Sequence, residues 1–216
     1  MLRLVVLFAL LAEPLFAGAW PRGKGNSFAS LSFQLTDRDF FAPFNTYTAL
    51  YLEHGITEKI TLGLDTGRGV SGKNKTILFI SHPLLRTDSG HNFGVDLGLG
   101  YLAGEPAIRP GLSYGRGFST DKGSGWFAVD TVMEYTLSTG RLDLKSDITY
   151  GLSYHPTMKT ILQLQTGISA FDPPFARFAP SLVFKTGEKT HIEVGLAIGL
   201  VGDSNYGFKL GMWRDF

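Results

Sequence analysis

The chain has 216 residues, 20 Lys and Arg against 19 Asp and Glu, a formal charge of +1, no cysteine and 27 glycines. That length suits one domain, the even spread of both charge signs argues against a nucleic-acid partner, and the absence of cysteine removes disulfides, thiolate metal sites and thiol nucleophiles.

Arg3 precedes the apolar run Leu4–Ala12, and Ala17-Gly18-Ala19 follows. A short basic region, an apolar stretch too brief to span a bilayer and small residues at alternate positions predict a secretory signal peptide over residues 1–19, cleaved after Ala19. The mature chain then starts at Trp20. Glu13 and Pro14 interrupt the competing reading, an uncleaved amphipathic anchor.

Residues 20–216 read as a single all-β domain. Leu31, Phe33 and Leu35 alternate with Ser30, Ser32 and Gln34, and Ile60, Leu62 and Leu64 alternate with Thr61, Gly63 and Asp65. Two runs resist assignment of faces. Tyr47, Ala49 and Tyr51 oppose Thr48, Leu50 and Leu52, while Lys75–His82 is apolar on both sides. From residue 91 the alternation is regular. Phe93, Val95, Leu97, Leu99 and Tyr101 form one stripe, and Ile108, Pro110, Leu112 and Tyr114 the next. Pro110 cannot donate to a ladder and is expected at an edge-like or bulged position. Phe127, Val129, Thr131, Met133 and Tyr135 face away from Trp126, Ala128, Asp130 and Glu134. After Thr139-Gly140, Leu142, Leu144, Ile148, Tyr150, Leu152 and Tyr154 oppose Asp143, Lys145, Asp147 and Thr149. Strands around Leu162–Ile168, Phe178–Phe184 and Ile192–Leu200 follow with the same period.

The last strand places Tyr206, Phe208, Leu210, Met212 and Phe216 on one face, and Gly207, Lys209, Gly211 and Asp215 on the other. With its terminal aromatic residue it resembles the closing strand of Gram-negative outer-membrane β-barrel proteins. That resemblance implies outer-membrane lipids and the outer-membrane assembly machinery as partners, with these five residues as the assembly signal. About twelve strands, each near the nine to eleven residues a tilted crossing needs, predict a closed antiparallel up-and-down transmembrane barrel in the bacterial outer membrane, both ends periplasmic. The rival, a periplasmic sandwich or lipocalin-like barrel, would turn the apolar stripe inward. A glycine-rich polar face, aromatics at strand ends and Phe216 favour the membrane. Those aromatics predict two girdles: Tyr101, Tyr135, Phe171, Phe175, Phe178 and Tyr206 at the outer end, and Tyr114, Phe118, Trp126, Phe127, Tyr150, Tyr154 and Phe216 at the periplasmic end. The external loops are short, which weakens a receptor or adhesin role.

The polar face carries nearly balanced charge, consistent with a ladder of ion pairs. The sharper reading is a constriction made by Asp130, Glu134, Asp143 and Asp147 around Lys145, with Arg109 on the strand before. A two-residue turn at Thr139-Gly140 would set Glu134 opposite Lys145. The inward glycines either leave space for a passage or make room for neighbouring side chains. Catalysis is not expected: outer-membrane phospholipases and lipid A deacylases use a His-x-Ser pattern that does not occur here, and His191 beside Glu193 reads as an ion-pair partner. No zinc spacing and no cofactor motif occurs.

Tyr51–Leu64, a strand, a short turn and a returning strand, resembles outer-membrane transporters of the MetA-pathway phenol-degradation group, which implies uptake of hydrophobic compounds but transfers no substrate residue. The expected function is a narrow channel or uptake pore for small solutes. The alternatives are a non-conducting structural or assembly-associated barrel and, further off, a lipid-modifying enzyme.

Overall fold

The computed structural model describes residues 18–37, 45–69, 74–170, 172–202 and 205–216. Twelve strands in chain order form one sheet: β1 Ser27–Asp37, β2 Asn45–Gly55, β3 Thr61–Gly69, β4 Asn74–Arg86, β5 His91–Leu102, β6 Glu105–Thr120, β7 Gly123–Thr136, β8 Leu142–His155, β9 Met158–Ser169, β10 Phe175–Lys185, β11 Thr190–Val201 and β12 Tyr206–Asp215. Each strand pairs antiparallel with its chain neighbours, and β12 returns to β1 through Leu31↔Met212, Phe33↔Leu210 and Leu35↔Phe208. The sheet therefore closes with no free edge, which satisfies backbone donors and acceptors around the ring without water. The even strand count puts the start of β1 and the end of β12 on one side, the periplasmic side in this class.

The apolar stripes face outward. Leu78, Ile80, Leu97, Leu99, Leu112, Leu144, Leu162, Leu182, Val194 and Leu210 are all exposed, Leu112 to 63%. A soluble sandwich or lipocalin would bury such residues, so the exterior is built for hydrocarbon. Outward-facing Arg68, Arg116 and Arg214 lie near strand ends, where a long stem can carry the charge to the headgroups. At the periplasmic end the girdle is a set of touching rings: Phe93 and Tyr114 at 5.1 Å, Tyr114 and Phe127 at 6.2 Å, and Phe118 and Tyr150 at 5.3 Å. Two predicted girdle members are corrected. Trp126 is 5% exposed and faces the lumen, and Phe175 pairs with Gly167 on the inner face and lines the central chamber. Phe171 lies outside the described residues.

Pro110 is neither at an edge nor on a bulge. β6 and β7 pair at Ile108↔Tyr135 and again at Gly111↔Val132, so the register is unchanged across the gap that the missing N–H leaves. The real irregularities fall between Pro83 and Leu85, Ser153 and His155, and Ala176 and Arg177. β5 and β6 join through Ala103-Gly104, both with positive φ (52° and 86°), the backbone of a tight type I′ hairpin.

Both ambiguous runs are resolved by what fills the lumen. Tyr47, Ala49 and Tyr51 point inward with Ile77 and Phe79, whereas Leu50, Leu52, Leu78 and Ile80 point to lipid. Bulky side chains are inside because the barrel has an internal core. Phe28, Trp126, Ala128, Ile161, Val183 and Trp213 cluster at the periplasmic end, with Tyr51 and Trp20 packed against them. Glycines make room for the rings: a Cβ at Gly63 would overlap Phe79, and one at Gly151 would overlap Trp126. Of the two readings of the inward glycines, close packing is what these positions display.

Candidate functional site

Above the aromatic floor lies a luminal chamber of about 430 Å³, lined by Asp65, Lys75, Asp96, Arg109, Asp130, Glu134, Lys145, Asp147, Gln165 and Arg177, with Tyr51, Phe79 and Phe175 among its walls. A second luminal cavity of about 250 Å³ is lined by Ser30, Gln34, Thr149, Gln163, Gln165, Glu193 and Lys209, and shares Asp130 and Asp147 with the first. Pleat alternation on every strand places these groups inside, at neighbouring heights around one ring.

Most of the charge is paired. Asp65 Oδ2 accepts from Arg109 Nη1 at 2.5 Å and from Lys75 Nζ at 2.8 Å. Lys145 Nζ lies 2.5 Å from Glu134 Oε2, and Lys209 Nζ 2.9 Å from Glu193 Oε1. Glu53 accepts from Arg22 Nε and, at 2.7 Å, from the Tyr51 hydroxyl. At the outer rim Asp143 Oδ1 takes Arg141 Nε at 3.0 Å and the Ala170 amide at 3.1 Å. Arg141, in the turn outside the span, has its pKa raised by that hydrogen bond and stays charged. The Arg109 guanidinium also sits 5.2 Å above the Phe79 ring.

Three carboxylates stand apart from these pairs. Asp130 lies directly opposite Asp147 in the β7–β8 ladder, and among the described residues neither they nor Asp96 join an ion pair. Asp96 Oδ1 is buried with no hydrogen-bond partner. The predicted cluster is thus divided by the fold. Asp130 and Asp147 face one another, Glu134 is engaged by Lys145, Asp143 belongs to the rim, and Arg109 serves Asp65 across the chamber.

The predicted two-residue turn is corrected as well. The connection spans residues 137–141, held by Thr136 N to Arg141 O at 2.9 Å and Gly140 N to Thr136 O at 2.9 Å. The register therefore sets Glu134 against Asp143, and Lys145 reaches Glu134 diagonally. The Glu193 carboxylate takes the Lys209 ammonium, and His191 lies buried on the same inner face of β11.

Sequence reasoning passed over the N-terminal segment. Residues 18–23 run inside the barrel and residues 24–26 are exposed at its end: Ala19 is 1% exposed, and Trp20 packs on the internal core with its ring where a Cβ of Gly115 would stand. Arg22 donates its backbone N–H to Thr61 Oγ1 at 3.1 Å, and its guanidinium lies 4.3 Å above Phe28. Gly25 N to Gly55 O (2.8 Å) and Gly55 N to Asn26 O (2.9 Å) tie the segment to the end of β2. Nothing in the period-two pattern marks such a strap, although the paired Gly23 and Gly25, both at positive φ, are a signal of a tight inward bend.

No family model and no curated protein matches the chain. Solved structures do match. The NanC porin superposes with a TM-score of 0.68 at 8% identity, over 86% of this chain and 98% of its own. The KdgM porin gives 0.62 at 13% identity, over 87% and 99%. An outer-membrane channel from Pseudomonas putida gives 0.56 at 11% identity, over 89% and 96%. At these identities the likeness is one of fold, and the chain shares the architecture of porin and channel barrels of the outer membrane.

Proposed function

We propose that the protein is a narrow outer-membrane channel for small solutes. The observation that carries this reading is a chamber lined by charged and amide side chains inside a closed barrel whose outer wall is apolar. The unpaired charges in that chamber are carboxylates, which repel polyanions and favour cationic or neutral cargo. One structure of the KdgM porin contains disordered oligogalacturonate, a string of carboxylates; the chamber here is poorly suited to such a ligand. The rings of Tyr51, Phe79 and Phe175, together with the resemblance of Tyr51–Leu64 to MetA-pathway transporters, support weakly polar compounds as cargo.

A second reading has its own support. The aromatic floor and the inward strap narrow the periplasmic half, as a structural barrel without conductance would require. Purified protein in a planar bilayer separates the two: discrete conductance steps support the channel, and silence across salt and voltage supports the structural barrel.

A further inference from the structure

The strap occupies a prepared seat. Gly94 has no side chain where the Gly18 carbonyl oxygen and the Ala19 Cα lie, 2.7 and 3.4 Å from an ideal Cβ. Gly115 is bare where the Trp20 ring lies, and Gly55 is bare where the Gly23 carbonyl passes. Gly18 itself touches the acidic cluster: its Cβ position is 3.2 Å from Ser113 Oγ and 3.5 Å from Asp130 Oδ1.

Around this seat stand Asp96, Asp130 and Asp147, and Glu53 adds a further negative charge that acts on Asp130. The neighbouring cations are committed. Asp65 holds Arg109 and Lys75, Glu134 holds Lys145, Glu193 holds Lys209 and Glu53 holds Arg22, while Arg177 lines the chamber from β10. Lys209, Lys75, Lys145 and Arg177 act on Asp147, and Arg109 acts on Asp96, whereas the charges that act on Asp130 among the described residues are the carboxylates of Asp147, Asp96 and Glu53, and a carboxylate so placed in a confined lumen is costly.

We propose that the missing cation is the α-ammonium of Trp20, created when the leader is removed after Ala19. Hydrolysis adds water across the Ala19–Trp20 peptide bond; the oxygen stays on the departing Ala19 carboxylate, and the Trp20 nitrogen takes up protons to become an ammonium at neutral pH. Departure of Gly18 and Ala19 empties the space beside Ser113 and Asp130. The new terminus is two residues, roughly 5–7 Å of chain, from the Gly18 position that touches Asp130. The Trp20 ring on Gly115 and Arg22 on Glu53 hold it at that height.

Two features favour removal. The leader run Leu4–Ala12 is apolar, whereas the chamber above Gly18 is lined by Asp65, Lys75, Arg109 and Lys145. Ala19 is buried in the lumen, so a signal peptidase must cut before the barrel closes around the strap.

The test is amine acetylation of protein purified from outer membranes, read by mass spectrometry of the N-terminal peptide across a pH series. The expected peptide begins at Trp20, and its amine reacts at least about tenfold more slowly in the folded barrel than after unfolding, with its apparent pKa above the ordinary α-amino range of about 7.7–8.0. Asp130→Asn should return the reactivity toward the unfolded rate. A mature chain starting elsewhere, equal reactivity in both states, or an apparent pKa at or below the ordinary range overturns the proposal; the last two need no variant to fold. The proposal goes beyond the channel reading and is separable from it: a silent bilayer with a shielded amine removes the channel alone, and a conducting barrel with a free amine removes the ion pair alone.

Discussion

Asp130 on β7 and Asp147 on β8 are direct partners across one antiparallel pair, both turned into the lumen. Like charges in that position oppose pairing, and the sheet bears the cost because every other strand contact holds the register. Asp147→Asn should therefore stabilise the barrel slightly, by about 0.2–1 kcal/mol. The check is the urea midpoint of the refolded protein in lipid; a lower midpoint would mean that a cation pairs with Asp147 itself and not only with Asp130.

Lys145 and Glu134 behave in the opposite sense. Glu134 is 3% exposed on its side chain and Lys145 40%. Removing the lysine strands a buried carboxylate, while removing the carboxylate frees an ammonium that can turn to water. Lys145→Met should cost about 1–3 kcal/mol, more than Glu134→Gln, and the double change Lys145→Met with Glu134→Leu should recover most of the loss. Equal costs for both single changes would contradict the asymmetry.

Leu97 is 56% exposed midway along β5. If the outer wall meets hydrocarbon, Leu97→Arg destabilises the lipid-embedded barrel by about 2–4 kcal/mol. The same residue introduced at Gln163, on the luminal face, should cost far less. Comparable losses at both positions would mean that the two faces have been assigned the wrong way round.

Gly151 lies beneath the Trp126 indole, and a Cβ there has no space. Gly151→Val should displace the ring and lower stability by about 1–3 kcal/mol, with a change in indole fluorescence that reports the displacement. An unchanged spectrum would place Trp126 elsewhere.

The strand pattern was readable wherever the inner face is small or polar, as at Phe93–Tyr101 and Leu142–Tyr154, because period two then separates lipid from lumen without ambiguity. It was unreadable at Tyr47–Leu52 and Lys75–His82, where Tyr51, Ile77 and Phe79 build an internal core and make both faces apolar. The acidic residues proposed for a constriction are recognisable in the sequence as residue types but not as a geometry. Their pairing depends on the turn at residues 137–141, and moving a register by two residues keeps every face while changing every partner. Arg109 could not be assigned to Asp65 because their strands are separated in sequence and meet only across the lumen. The strap was hidden for a different reason: residues 20–26 have no period, and their role comes from glycines on three other strands.

The luminal route is tested most directly by the reversal potential of single channels under a potassium chloride gradient, for the native chain and for Asp130→Asn with Asp147→Asn. A conducting lumen gives discrete steps with a cation preference that falls in the double variant. A native channel that prefers anions, or a preference unmoved by loss of both carboxylates, would contradict it.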